Sequence, residues 1–155
     1  MDAPHRTGGL AVTPILIDTN AYSEYRRGHA AALEIVQSAP EIAISVVVLG
    51  ELTGGFATGH RESDNRRELL RFLASPRVQV LDVDRTTAEL YAQIYRDLRQ
   101  AGTPIPQNDM WIAATARQHD LALFTYDAHF RSVRGLVVGR VLADFDPSPH
   151  TDKPT

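Results

Sequence analysis

Four acidic residues stand where carboxylates could do chemistry together: Asp18, Glu51, Asp109 and Asp127. Asp18 ends a short apolar run, Pro14-Ile-Leu-Ile. Asp127 follows a second such run, Leu121-Ala-Leu-Phe-Thr125, by two residues. Asp109 lies in the first turn of a helical stretch, and Glu51 lies inside another. Taken singly, each has a plain structural account, because a carboxylate at a helix N-terminus complements the dipole by roughly 0.3–1 kcal/mol. Taken together they repel, and each raises the pKa of the others. A fold tolerates such a cluster when a divalent cation sits in it. Oxygen donors, with no cysteine and no paired histidines, point to Mg²⁺ or Mn²⁺.

The elements that must position these acids alternate between strand and helix. Residues 14–18 read as a buried strand, followed by a short helix that Asn20 can cap and Gly28 ends. A second helix covers about 29–38. Ile42–Ser45 is a second strand, and Ser45 can cap the helix carrying Glu51; Gly54-Gly55 either kink or end that helix. A polar helix near 64–75 has Leu69, Leu70, Phe72 and Leu73 as its apolar side. Val78–Leu81 is a third strand. In the helix 85–101, Ala88, Tyr91, Ile94, Tyr95 and Leu98 recur at helical spacing, and Gly102 closes it. Helix 108–119 buries Ile112, Ala113 and Ala116. Residues 121–125 form a fourth strand, and Val137-Val138 with Val141-Leu142 a short fifth interrupted by Gly139. This order predicts an α/β fold whose parallel sheet is covered on both faces. The first and fourth strands are expected to be neighbours, and ligands bind beyond the carboxyl ends of such strands. All four acids would then share one rim.

The chain has 155 residues, 43% of them hydrophobic, which fits one domain with a sizeable core. That domain is expected over 14–145, with 1–13 and 146–155 as flexible termini. The absence of cysteine removes disulfides, thiolate metal sites and cysteine nucleophiles. No run approaches the roughly 20 residues that span a bilayer, and the N-terminus lacks the apolar stretch of a secretory signal. A soluble cytoplasmic protein with no membrane partner is the expectation. Net charge is −3, so no global basic field advertises nucleic acid. All the basic residues are Arg except Lys153. Arg suits phosphate, but a GC-rich coding bias would give the same composition.

Four motifs in order carry a resemblance: Ile17-Asp18-Thr19-Asn20; Gly50-Glu51-Leu52; Asn108-Asp109 followed by Met-Trp-Ile-Ala-Ala-Thr-Ala116; and Phe124-Thr125-Tyr126-Asp127-Ala-His-Phe130. Over about 14–145 the chain resembles the PIN domain and, more narrowly, the VapC-type toxin ribonucleases of bacterial toxin–antitoxin pairs. No single motif is specific; the ordered set is. The resemblance implies a three-layer α/β/α sandwich around a mainly parallel sheet of about five strands. It also implies a Mg²⁺-dependent endoribonuclease, an RNA substrate, a homodimer and a cognate antitoxin. Carried over by position, Asp18, Glu51, Asp109 and Asp127 form the acidic quartet. The resemblance implies that Asp18 and Asp109 are metal ligands, and that Glu51 and Asp127 bind the metal directly or through water. Thr19, Asn20, Asn108 and Thr125 support and orient the acids.

The remaining candidates read more plainly. His60, His119 and His129 have no spacing that pairs them for general acid–base work and read as surface residues. Arg61, Arg66, Arg67 and Arg71 form either a solvated face or a contact for RNA or antitoxin. Tyr91, Tyr95 and Leu98 serve the core or a dimer seam. A receiver domain needs a late Lys, and the only Lys is in the tail. A haloacid dehalogenase needs an acid where Asn20 stands. No Gly-rich nucleotide loop occurs. The rival from another class is a catalytically silent PIN fold that binds RNA or protein, and the intact quartet argues against it.

Overall fold

The computed structural model describes residues 12–147, and expectations for 1–11 and 148–155 lie outside the described residues. Five strands form one parallel sheet: β1 Ile15–Ile17, β2 Ile42–Ser45, β3 Val78–Leu81, β4 Ala122–Phe124 and β5 Val138–Gly139. Their order is β3-β2-β1-β4-β5, so β1 lies between β2 and β4. Ile15 is in register with Ile42 on one side and Ala122 on the other. Parallel neighbours need long crossovers. Here these are supplied by α1 Thr19–Arg26, α2 Ala30–Ser38, α3 Val46–Ala57, α4 Glu62–Leu73, α5 Arg85–Ala101 and α6 Gln107–Gln118. Ile15, Leu16 and Ile17 are wholly buried, as in a strand covered on both faces. The α/β/α expectation therefore holds.

The core extends past one expected boundary, because Val12 is buried and the Thr13 amide donates to the Phe145 carbonyl (3.2 Å). Helix α6 is the most enclosed, burying Met110, Ile112, Ala113, Ala114, Thr115 and Ala116. Its small residues let it lie close to neighbouring elements, and Trp111 stacks on Tyr91 of α5 with centroids 4.1 Å apart.

Several helix details differ from the sequence reading. On α4, Leu69 and Phe72 are buried but Leu70 is 67% exposed, because one residue along a helix turns the side chain about 100° away. On α5, the buried stripe is Thr87, Ile94 and Leu98 with Tyr91 beside it, while Ala88 and Tyr95 fall one step round and face solvent. Helix α3 continues through Gly54-Gly55 to Ala57. Gly139 belongs to β5 rather than interrupting it. A Cβ there would overlap the Asp144 side chain and sit 2.9 Å from the Phe145 ring, so only glycine lets the following turn fold back. No helix among the described residues is long and apolar enough to cross a membrane.

Candidate active site

The carboxyl ends of β1 and β4 lie side by side, and the acids gather there. Asp18 immediately follows β1 and caps α1: its Oδ1 accepts from the Thr19 amide (2.8 Å). Its Oδ2 accepts from the Thr125 hydroxyl just past β4 (2.7 Å). Asn20, expected as the cap, instead sits inside α1, where its Oδ1 accepts from the Tyr126 amide (3.0 Å) and pins the β4 end to α1. Asp18 takes the cap because it is the last extended residue before the helical backbone begins.

Ser45 caps α3 as expected, accepting from the Val47 amide. The helix then carries Glu51 back toward β1, where the Thr19 hydroxyl donates to Glu51 Oε1 (2.9 Å). Asp109 lies in the first turn of α6. Asp127 opens the 3₁₀ turn Ala128–Ser132 and accepts from the His129 amide (2.9 Å), while its own amide donates to the Thr125 hydroxyl (3.0 Å). Thr125 therefore links Asp18 to Asp127. Asn108 is exposed and makes no hydrogen bond to any of these acids.

Electrostatics bind the acids into one unit. Asp18 is 4% exposed, and its carboxyl is raised from the ordinary 3.8 to about 6. Burial is the main cause, the hydrogen bonds from Thr125 and Thr19 oppose it, and the charges of Asp109 and Glu51 add to it. The Asp109 carboxyl is also raised, first by burial, with Asp127 and Glu51 adding and His129 opposing. Each acid thus feels at least one of the others.

His129 is the residue the sequence reading missed. It is exposed on one side, yet its Nδ1 lies 3.0 Å from Asp127 Oδ1 and 3.3 Å from Asp109 Oδ2. At i, i+2 the two side chains would not meet on a helix; the 3₁₀ turn after Asp127 brings the ring onto the acids. Asp109, Asp127 and His129 each offer a donor atom, and the three lie within 4.8 Å of one another. Cis donors around an octahedral ion held at about 2.1 Å are about 3 Å apart, so this trio fits a divalent cation. The charges of Asp18 and Glu51 reach one another, and Glu51's reaches Asp109 as well, but neither carboxylate belongs to this group of three. His60 and His119 are exposed, and neither joins the acids. The arginines beside α4 are largely matched by acids of the same segment: Arg61 and Arg67 with Asp64, and Arg66 with Glu62.

Comparison with known proteins identifies the family of this fold. The PIN domain family model matches residues 15–136. The chain is 38% identical over 120 residues to Ribonuclease VapC10 of Mycobacterium tuberculosis, covering 75% of this chain and 85% of that one. Among solved structures it superimposes on the DNA-bound VapBC of Salmonella typhimurium with a TM-score of 0.73 at 25% identity, covering 82% of this chain and 97% of that one. With the VapBC2 of Rickettsia felis, bound to a fragment of its promoter, the TM-score is 0.72 at 25% identity, with 81% and 97% covered. The chain belongs to the PIN-domain family, among its VapC-type toxin ribonucleases.

Proposed function

We propose that this chain hydrolyses RNA phosphodiester bonds at the rim formed by Asp18, Glu51, Asp109 and Asp127, with Mg²⁺ as the cation and Mn²⁺ as a substitute. The observation that carries the reading is the convergence of four acids from separate elements onto one rim, with Asp18 buried among them. A structural role would favour one capping acid per helix and would not build in repulsion. When bound, a divalent cation supplies a Lewis acid that polarises a phosphoryl oxygen and offsets the charge of the transition state. The chain itself supplies position. The Thr125 hydroxyl fixes Asp18, Thr19 fixes Glu51, and the His129 amide fixes Asp127. These contacts hold the oxygens before substrate arrives, which is where preorganised sites gain rate. The test is RNA cleavage with Mg²⁺ and with excess EDTA. Loss in EDTA and recovery on adding Mg²⁺ support the reading; full activity in EDTA overturns the metal mechanism. An intact, folded chain that cleaves no RNA would favour the silent binding module.

The toxin role implies a cognate antitoxin, as in the VapBC complexes of the structural neighbours. An acidic pocket attracts a basic side chain, so an antitoxin Arg or Lys placed among the acids would block the site. The resemblance also implies a homodimer, for which the α5 surface around the exposed Tyr95 is a candidate seam.

A further inference from the structure

A second cleft opens from the acid rim. It shares Thr125 and Asp127 with the site and runs between the 3₁₀ turn Ala128–Ser132 and the segment after β5, with an open volume of about 430 Å³. Arg131 lines it from the first segment and Arg140 from the second. Their setting differs from that of the arginines beside α4. Of those, Arg61, Arg66 and Arg67 are matched to acids in the same segment at 3.1–3.8 Å. Among the described residues, the guanidinium groups of Arg131 and Arg140 have no hydrogen-bond or ion-pair partner, in a chain whose net charge is negative.

Both arginines stand on anchored backbone. Phe130, next to Arg131, is wholly buried. Arg140 follows Gly139, whose missing side chain admits Asp144. Asp144 Oδ2 in turn accepts from the Arg140 and Val141 amides (3.0 and 3.2 Å), so the cleft's other carboxylate is occupied with backbone. Two unpaired planar cations held on fixed backbone beside a cluster of acids suit a ligand that is itself anionic and must reach those acids.

We propose that Arg131 and Arg140 form a phosphate-binding subsite that holds the RNA backbone next to the scissile bond, leading the strand over Asp127 into the acid rim. This rests on the ribonuclease reading and deepens it. The subsite would offset the repulsion between the acids and the polyanion, and would set the direction in which the strand enters.

The test uses the full chain and a fluorescently labelled 20-nucleotide RNA of mixed sequence. Binding is followed by anisotropy in Ca²⁺ across a salt series, and cleavage in Mg²⁺ across RNA concentrations. Arg131→Gln with Arg140→Gln should weaken binding by about tenfold or more. It should flatten the slope of log K against log salt by about 1.4, the loss of two contacts to a single strand. KM should rise while kcat stays close to wild type. Arg66→Gln with Arg67→Gln is the matched control and should leave both unchanged. Unchanged affinity and salt slope in the cleft variant, while the wild type cuts normally, overturn the subsite alone. A cleft variant that keeps RNA binding but loses its antitoxin also overturns it, in favour of a protein contact. A folded wild type that neither binds nor cuts RNA overturns the ribonuclease reading and the subsite with it.

Discussion

Among the described residues two α-helices begin on an aspartate, and the two aspartates live in opposite conditions. Asp84 caps α5 from the surface. It accepts from the Thr87 amide (3.1 Å) and from the Gln118 side chain (3.0 Å), and these contacts hold its carboxyl below the usual range. Asp18 caps α1 from inside, with one amide and one hydroxyl as donors, and is pushed up to about 6. Capping accounts for everything about Asp84. It accounts for one oxygen of Asp18 and leaves its burial and its acidic neighbours unexplained. A cap surrounded by donors is explained by stability; a cap buried beside other acids is not.

That contrast can be broken first at the level of rate. Asp18→Asn and Asp109→Asn should each lower RNA cleavage by at least roughly 10²-fold, more than the loss expected for a residue that only supports a ligand. Asp84→Asn should cut at the wild-type rate. Equal rates in all three variants would show that Asp18 is only a cap.

A smaller effect is expected from Thr125→Val, which keeps the shape and removes the hydroxyl that joins Asp18 to the Asp127 amide. Mg²⁺ or Mn²⁺ affinity, measured by calorimetry, should fall by about 10–100-fold with the fold intact by circular dichroism.

Stability gives a third comparison, with opposite signs for the two caps. Asp18 has a folded value above its ordinary 3.8, so the native state holds the extra proton between 3.8 and about 6. In EDTA its contribution is therefore neutral below that window and turns destabilising as pH rises through it, by up to about 3 kcal/mol. Asp84 has a lowered value, so its contribution is present at neutral pH and is lost as pH falls through its folded value. Thermal melts in EDTA at pH 7 should show Asp18→Asn at or above wild type. Asp84→Ala should melt lower by roughly 2–5 °C through loss of the cap. An Asp18→Asn protein that melts well below wild type would mean that the buried carboxylate stabilises the fold.

Much of this was legible in the sequence because burial and strand ends leave periodic marks. The runs at 14–18 and 121–125 placed β1 and β4, and an acid just beyond each marked the rim. Ser45 announced α3 through its side-chain oxygen. What escaped depends on rotation or on contacts distant in sequence. Leu70 and Tyr95 were apolar residues one helical step outside a buried stripe. The cap of α1 shifted from Asn20 to Asp18, since both side chains can cap and only the backbone decides. His129 reached the acids through a 3₁₀ turn, which has no pattern of its own in sequence. The pairing states of the arginines were also hidden. Arg66 meets Glu62 at a spacing that can be read on a helix, but the open cleft beside Arg140 exists only once Gly139 and Asp144 have met.

The strand order carries a consequence for the chain as it is being made. Asp18 and Thr125, whose hydrogen bond ties the two halves of the rim together, are 107 positions apart. β1 leaves the ribosome early, but its partner on that side is β4, which comes near the end, and Asp127 later still. A nascent chain can pair β1 with β2 and β3 while its first two acids stand without the last two. The proposed site draws acids from both ends of this order, so a chain released before residue 127 would lack one of its four.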